Sequence, residues 1–290
     1  MEFYDQGQVS LFLNTLFSSV DEGYVEIRPI SEHGHPQKFY DLKDGITDIS
    51  NGVQEFVGEF NVFVGINPRK QQSGKDEDVD SLVSFWVDVD AKHFGDSKKK
   101  AKEAINKFKL TPTMVIDSGN GYHAYWLLDN PWKLNSQKER DEAHRISRAI
   151  HSIIDADSTH NLSRILRVPG TPNIKDPKDH SKTTSNQGLW RPCTIETLNF
   201  GSKYSVKDFY DVIPAEELEE EKVCITVDFS MESKVRDISD IQKYLDDEVI
   251  IRAQKIPEHL DGDRSSNDFW IISEMYESGF NDADIYRCFQ

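Results

Sequence analysis

The run Ser81-Leu-Val-Ser-Phe-Trp-Val-Asp-Val-Asp90 restricts the fold of this chain more than any other segment. Its apolar lead-in fits a strand buried over 82–90. Side chains at i and i+2 of a strand share a face, so Asp88 and Asp90 point together while Val87 and Val89 enter the opposite layer. Two carboxylates that close repel, and one keeps its proton at neutral pH unless a cation neutralises the pair. Two readings follow. Either the acids lie at the strand's exposed end and solvate a turn, or they hold a divalent ion. Hard oxygen ligands suit Mg²⁺ or Mn²⁺, and Mg²⁺ usually takes one or two carboxylates together with substrate phosphates.

Around this strand the chain alternates elements of both kinds. Helical spacing covers about 8–20, 47–58, 97–108 (with Ser97 as cap) and 135–154, the last with Ala143, Ile146, Ala149, Ile150 and Ile153 on one stripe. Strand patterns cover 24–30, 38–42, 61–66, 113–117 and 123–128, and Gly119-Asn120-Gly121 between the last two marks a hairpin. A strand-like piece near 190–195 and an amphipathic segment near 205–212 follow. The reading is an α/β (α+β) domain over residues 1–214. Pro214 then opens the charged linker AEELEEEK, and residues 240–252 and 264–290 have helical spacing, so 215–290 reads as an acidic linker and a small all-helical accessory domain. The amphipathic pattern still runs at Cys288-Phe289-Gln290, and the expectation is a longer protein.

A net charge of −17 argues at first against a phosphate-bearing partner. Its distribution reverses that. Residues 215–290 carry 20 Asp/Glu against 8 Lys/Arg, whereas Arg164, Arg167, Lys175, Lys178, Lys182 and Arg191 face only Asp176 and Asp179 within 160–191. No apolar run is long enough for a membrane span, and MEFYDQGQVS has no signal-peptide pattern, so the expectation is a cytoplasmic protein without a membrane partner. Cys193, Cys224 and Cys288 are single and widely spaced, which suits neither a disulfide framework nor a Cys-based zinc site.

Two further stretches carry chemistry. In Val115-Ile-Asp-Ser-Gly-Asn-Gly-Tyr-His-Ala-Tyr-Trp126 the glycines leave backbone N–H groups unobstructed, so the turn can approach phosphate oxygens, with His123 as a further donor; a plain hairpin with a structural histidine is the alternative. In the stretch from Asp155 to Lys175, Arg164 and Arg167 offer planar forks for phosphate and Lys175 a point charge, with Asp157 available as a third acid; a surface loop with incidental charge is the alternative.

Together these stretches resemble the archaeo-eukaryotic primase (AEP) superfamily, and within it the primase–polymerases (PrimPol) of plasmids, phages and mobile elements. The first family motif, an apolar strand ending in Asp-x-Asp, is matched by Trp86-Val-Asp-Val-Asp90; the second, Ser-Gly-x-Gly-x-His, by Ser118-Gly119-Asn120-Gly121-Tyr122-His123. The third, an Asp followed by Ser-Arg-x-x-Arg-x-Pro-Gly-Thr-x-Asn-x-Lys, is matched by Asp157 and Ser163 to Lys175, and an Asn-Pro-Arg element stands at Asn67-Pro68-Arg69. Asp155 lies close to the third motif and competes with Asp157 for its acid.

The resemblance implies a catalytic core of paired α/β modules with a mixed, RRM-like sheet. It implies template-dependent nucleotidyl transfer on single-stranded DNA, primase and DNA polymerase, with Asp88, Asp90 and Asp157 holding two Mg²⁺ or Mn²⁺ ions. It also implies that Ser118, Gly119, Asn120, Gly121, His123, Arg164, Arg167, Lys175 and Arg69 contact the nucleoside triphosphate (dNTP or NTP) or the template backbone. The implied partners are template and primer, with a helicase later in the same chain. No zinc is expected, since no Cys/His group like the one some members insert is present. The rival readings are a metal-dependent nuclease, and a replication-initiation or template-binding module without catalysis. The glycine turn with Arg164 and Lys175 favours a triphosphate cradle over hydrolysis.

Overall fold

Two four-stranded sheets and the helices packed on them account for most of the buried apolar residues. The computed structural model describes residues 4–157, 160–176 and 182–218. In chain order it contains α1 (Gln6–Phe17), β1 (Tyr24–Ile30), β2 (Lys38–Asp41), α2 (Ile46–Gln54), β3 (Asn61–Gly65), β4 (Ser81–Asp90), α3 (Lys98–Ile105), β5 (Met114–Asp117) and β6 (Gly121–Lys133). There follow α4 (Gln137–Ile154), β7 (Ile165–Arg167), β8 (Pro172–Asn173), β9 (Arg191–Pro192), β10 (Thr194–Leu198), α5 (Val206–Val212) and α6 (Ala215–Leu218).

One sheet has the order β2-β1-β3-β7 and the other β10-β5-β6-β4, with β8 and β9 forming a short ribbon. The α+β class stands. The resemblance implies a mixed sheet, whereas every pairing between these strands is antiparallel. The reason is insertion: β4 and β5 run the same way around α3, but β6 lies between them, and β1 likewise separates β2 from β3. Each half is thus a split β-α-β unit.

Local chemistry sets the helices. α1 buries Val9, Phe12, Leu13, Leu16 and Phe17, a stripe at helical spacing, and Asp5 caps it by accepting from the Gln8 amide at 3.1 Å. Ser136 and Glu139 form a reciprocal capping box at the start of α4, which buries Ala143, Ile146, Ala149, Ile150 and Ile154. α1, α3 and α4 all pack on β4, whose first seven residues are buried. β4 is nonetheless the last strand of its sheet, and its free edge is covered rather than left open. Asn67 accepts from the Val83 amide through Oδ1 at 3.0 Å, and the Asp157 amide donates to the Asp88 carbonyl at 3.3 Å.

Among the described residues no helix is long and apolar enough to cross a membrane. Of the expected accessory region only α6 is described; the helices expected over 240–252 and 264–290 lie outside the described residues.

Candidate active site

The antiparallel register brings the first two motifs face to face. Asp88 pairs with His123, Val89 with Tyr122 and Asp90 with Gly121. Val89 enters the core, and Asp88 and Asp90 turn to a cleft of about 200 Å³ on the other side. Ser118, Asn120, Gly121 and His123 line it from the hairpin, Arg164 and Arg167 from the β7 segment, and Asn173 and Lys175 from the segment beyond. Close approach of β4 to β6 requires a glycine here: a Cβ on Gly121 would lie 2.2 Å from the Val89 carbonyl oxygen. The hairpin is held by the Asp117 carboxylate, which accepts from the Gly119 amide at 2.8 Å, and by a Ser118 N–H to Gly121 carbonyl bond of 3.0 Å. Gly119 has φ 93°, a left-handed conformation that other residues seldom take.

The cleft sets acids against cations. Burial raises the pKa of Asp88 and the Asp90 charge raises it further, while Arg164, Arg167 and Lys175 oppose them. About a quarter of the Asp88 side chain (26%) stays open, so an ion can reach it. Burial pushes Arg167 down to about 10, which still leaves it charged at neutral pH, and lowers Arg164 and Lys175 as well. His123 is held down to about 3 by burial and by Arg167 and Arg164, so its imidazole is neutral at pH 7. Its Nε2 lies 3.6 Å from Asp88, and its Nδ1, like Nε of Arg164, is buried with no hydrogen-bond partner among the described residues. A buried polar atom without a hydrogen-bond partner is uncommon in a folded protein, and two of them belong to residues that line this cleft.

The sequence-expected residues do not all reach this cleft. Arg167 lines it, with its guanidinium over the Phe63 ring at 4.8 Å and bonded to Asn61 Oδ1 at 2.5 Å. Gly119 shapes the hairpin without lining the cleft. Asp157 lies beside it, its amide on the Asp88 carbonyl and its carboxylate against His93; burial and then Asp88 raise its pKa, which His93 opposes. Arg69 lies elsewhere. It is wholly buried, paired with Glu26 at 3.0 Å, and donates to the carbonyls of Asn67 and Ser163. With Asn67, whose Nδ2 donates to the Leu162 carbonyl at 3.0 Å, it fastens the segment that delivers Arg164.

Three contributors were not assigned to the site from the sequence, although Arg191 was counted in the basic segment 160–191. Asn173 donates to the Ser118 carbonyl at 3.1 Å and accepts from the Lys175 amide at 3.2 Å, tying the second motif to the third. Arg191 hydrogen-bonds Asn120 on the hairpin. His93 meets Asp157. Asn173 could have been found, because it stands inside the Thr-Pro-Asn-Ile-Lys pattern; Arg191 carried only the general signal of a basic segment, and His93 none.

Among the described residues no three His, Cys, Asp or Glu side chains converge as a formed metal site. Asp88 and Asp90 do share one open cleft, and their donor set fits a hard divalent ion that draws its remaining ligands from water and a phosphorylated substrate.

No protein-family model matches the chain. A replication protein of Clostridium perfringens is 25% identical over 177 residues, 58% of this chain, and the match spans only 40% of that protein's length. The AEP domain of the cyanophage S-2L primase–polymerase superposes with a TM-score of 0.51 at 16% identity, over 73% of this chain and all of that domain. The primase RepB′ aligns with a TM-score of 0.43 at 14% identity, over 97% of this chain and 85% of that one. The chain has the AEP-domain fold.

Proposed function

We propose that this chain is the nucleotidyl-transfer part of a replication protein, a DNA primase and primer-extending polymerase that uses nucleoside triphosphates on single-stranded DNA. The observation that carries the reading is the cleft itself, where two carboxylates from β4 face Arg164, Arg167 and Lys175 across a neutral histidine. Acids alone would suit a cation and cations alone an anion; both together suit a metal–triphosphate complex. The shared AEP-domain fold and the replication-protein relative support it.

Asp88 and Asp90, with Asp157 beside them, would hold Mg²⁺ or Mn²⁺. When bound, the ions lower the pKa of the attacking 3′-hydroxyl and neutralise charge on the departing pyrophosphate. The chain's own residues do the rest. Arg164 and Arg167 present bidentate donors to the phosphates, and Lys175 adds a point charge. His123, being neutral, donates a hydrogen bond without adding charge. Backbone N–H groups of the Ser118–Gly121 turn, held by Asp117, approach the phosphate oxygens. Arg69 acts from below, by fixing Ser163 and hence Arg164. A helicase in the same full-length chain is the partner this reading expects.

The test is nucleotide incorporation on single-stranded DNA with Mg²⁺ or Mn²⁺, with and without a primer, beside Asp88→Ala/Asp90→Ala. Product without a primer that the variant fails to make establishes a primase; product from a primer only establishes a polymerase. A shortened template turns the reading to a nuclease, and no product at all refutes it.

A further inference from the structure

Between Lys92 and Lys109 the chain places seven lysines against two acids, Asp96 and Glu103, although its net charge is −17. Lys98, Lys99 and Lys100 occupy the first turn of α3, where cations oppose the helix dipole, so helix stability does not account for them. Two of the lysines have structural work. Lys98 pairs with Asp117, Lys102 pairs with Glu196 at 2.7 Å, and both lie over the Tyr122 ring, at 5.1 and 5.8 Å. These contacts dock α3 on the hairpin and on β10 and set its first turn beside Asp117, whose carboxylate holds the Gly119 amide at one side of the cleft.

The strip meets the cleft a second time. Lys92 Nζ lies 3.7 Å from Asp90, and the neighbouring His93 contacts Asp157. Lys92, Lys99 and Lys100 are exposed, and Lys99 approaches the exposed Glu103 at 3.8 Å, an ion pair of small worth. Exposed ammonium groups that stand beside the two carboxylates, at Lys92, and on the solvent side of a helix docked next to the cleft, at Lys99 and Lys100, are complementary to a polyanion whose end must reach those carboxylates.

We propose that Lys92, Lys99 and Lys100 form a phosphate track that carries the backbone of single-stranded DNA to the mouth of the cleft. The inference rests on the nucleotidyl-transfer reading and adds the surface on which the strand lies. Backbone contacts of this kind position a strand without reading its bases, so binding along the track is insensitive to sequence and sensitive to salt.

Lys99→Glu/Lys100→Glu tests it, with Lys43→Glu/Lys138→Glu as a control of equal charge change at exposed lysines outside the strip. Fluorescence anisotropy with labelled single-stranded DNA across a salt series gives affinity and slope, and calorimetry with Mg²⁺-dTTP reports the cleft. The strip variant is expected to lose affinity by about tenfold or more and to flatten the salt slope by about 1.4, two contacts at about 0.7 each. The control loses less than about threefold, and triphosphate binding stays within about twofold in both, since neither pair touches the cleft. Equal losses in the two variants would show that only total charge matters and would overturn the track. Undiminished DNA binding by the strip variant would overturn the track while leaving the nucleotidyl-transfer reading in place. Failure of the wild-type protein to bind DNA would overturn both.

Discussion

Gly121→Ala adds a single methyl group where the first two motifs cross. At a position without a positive φ such a change ordinarily stabilises a protein by about 0.4–1 kcal/mol, because it restricts the unfolded chain. Here the new Cβ would stand 2.2 Å from the Val89 carbonyl oxygen and 2.9 Å from the Asp90 Cα, both backbone atoms that cannot rotate away. An ordinary contact is about 3.5 Å, so β4 and β6 must separate by about 1 Å at the end that carries the acids. Overpacking of this size costs about 1–3 kcal/mol, a fall in melting temperature of roughly 3–10 °C for a domain of this length. Because Asp90 is the register partner of Gly121, the same displacement moves the acids against the Arg164 side of the cleft. A misplacement of about 1 Å costs on the order of 10² in rate. Thermal melting with primer-extension kcat/KM on the same preparation measures both. A variant that melts and extends like the wild type would refute the assigned register.

Glu26→Gln leaves the buried guanidinium of Arg69 without its counter-charge and is expected to cost about 3–5 kcal/mol in urea unfolding; a loss below about 1 kcal/mol would mean that the pair is solvated. Burial holds His151 down to about 4, against 6.5 in an unfolded chain. The unfolded chain therefore binds its proton first, so this contribution is complete above pH 6.5 and is lost as pH falls toward 4, about 3 kcal/mol in all. His151→Gln should remove one proton's share of that slope, about 1.4 kcal/mol per pH unit, and an unchanged slope would contradict it. Burial also pushes the Cys193 thiol up to about 12. In a Cys224→Ser/Cys288→Ser background it should resist iodoacetamide at pH 8 until the protein is unfolded, and prompt labelling of the native protein would show that it is accessible.

The legible parts of this chain are those whose signals are local. α4 announces itself by its stripe and by Ser136 three residues before Glu139, and the β5–β6 hairpin by its glycine turn. β4 needed only its own ten residues. β7 and β8 were missed because three-residue and two-residue strands carry no periodicity; each exists through a distant partner, β3 for one and β9 for the other. β6 runs to Lys133, past Pro131 and five residues beyond its expected end, because β4 supplies a partner for it as far as Ser81. In the site, the motif residues flanking the cleft were readable as residue types in order. Arg69 was not, because its placement depends on Glu26, a buried acid 43 residues away. The contact of His93 with Asp157 joins the 3-10 turn Ala91–Phe94 after β4 to the segment after α4, and nothing in either stretch of sequence links the two.

The central claim is that acids and cations of one cleft act together on one metal–triphosphate complex. Calorimetric titration of dTTP, with Mg²⁺ and with EDTA, into the wild type, Asp88→Ala/Asp90→Ala and Arg164→Ala tests it most directly. Binding that requires the metal, disappears without the two acids and weakens by about tenfold or more without Arg164 is the predicted result. Triphosphate binding of equal strength in EDTA, or undiminished in the double variant, would contradict it.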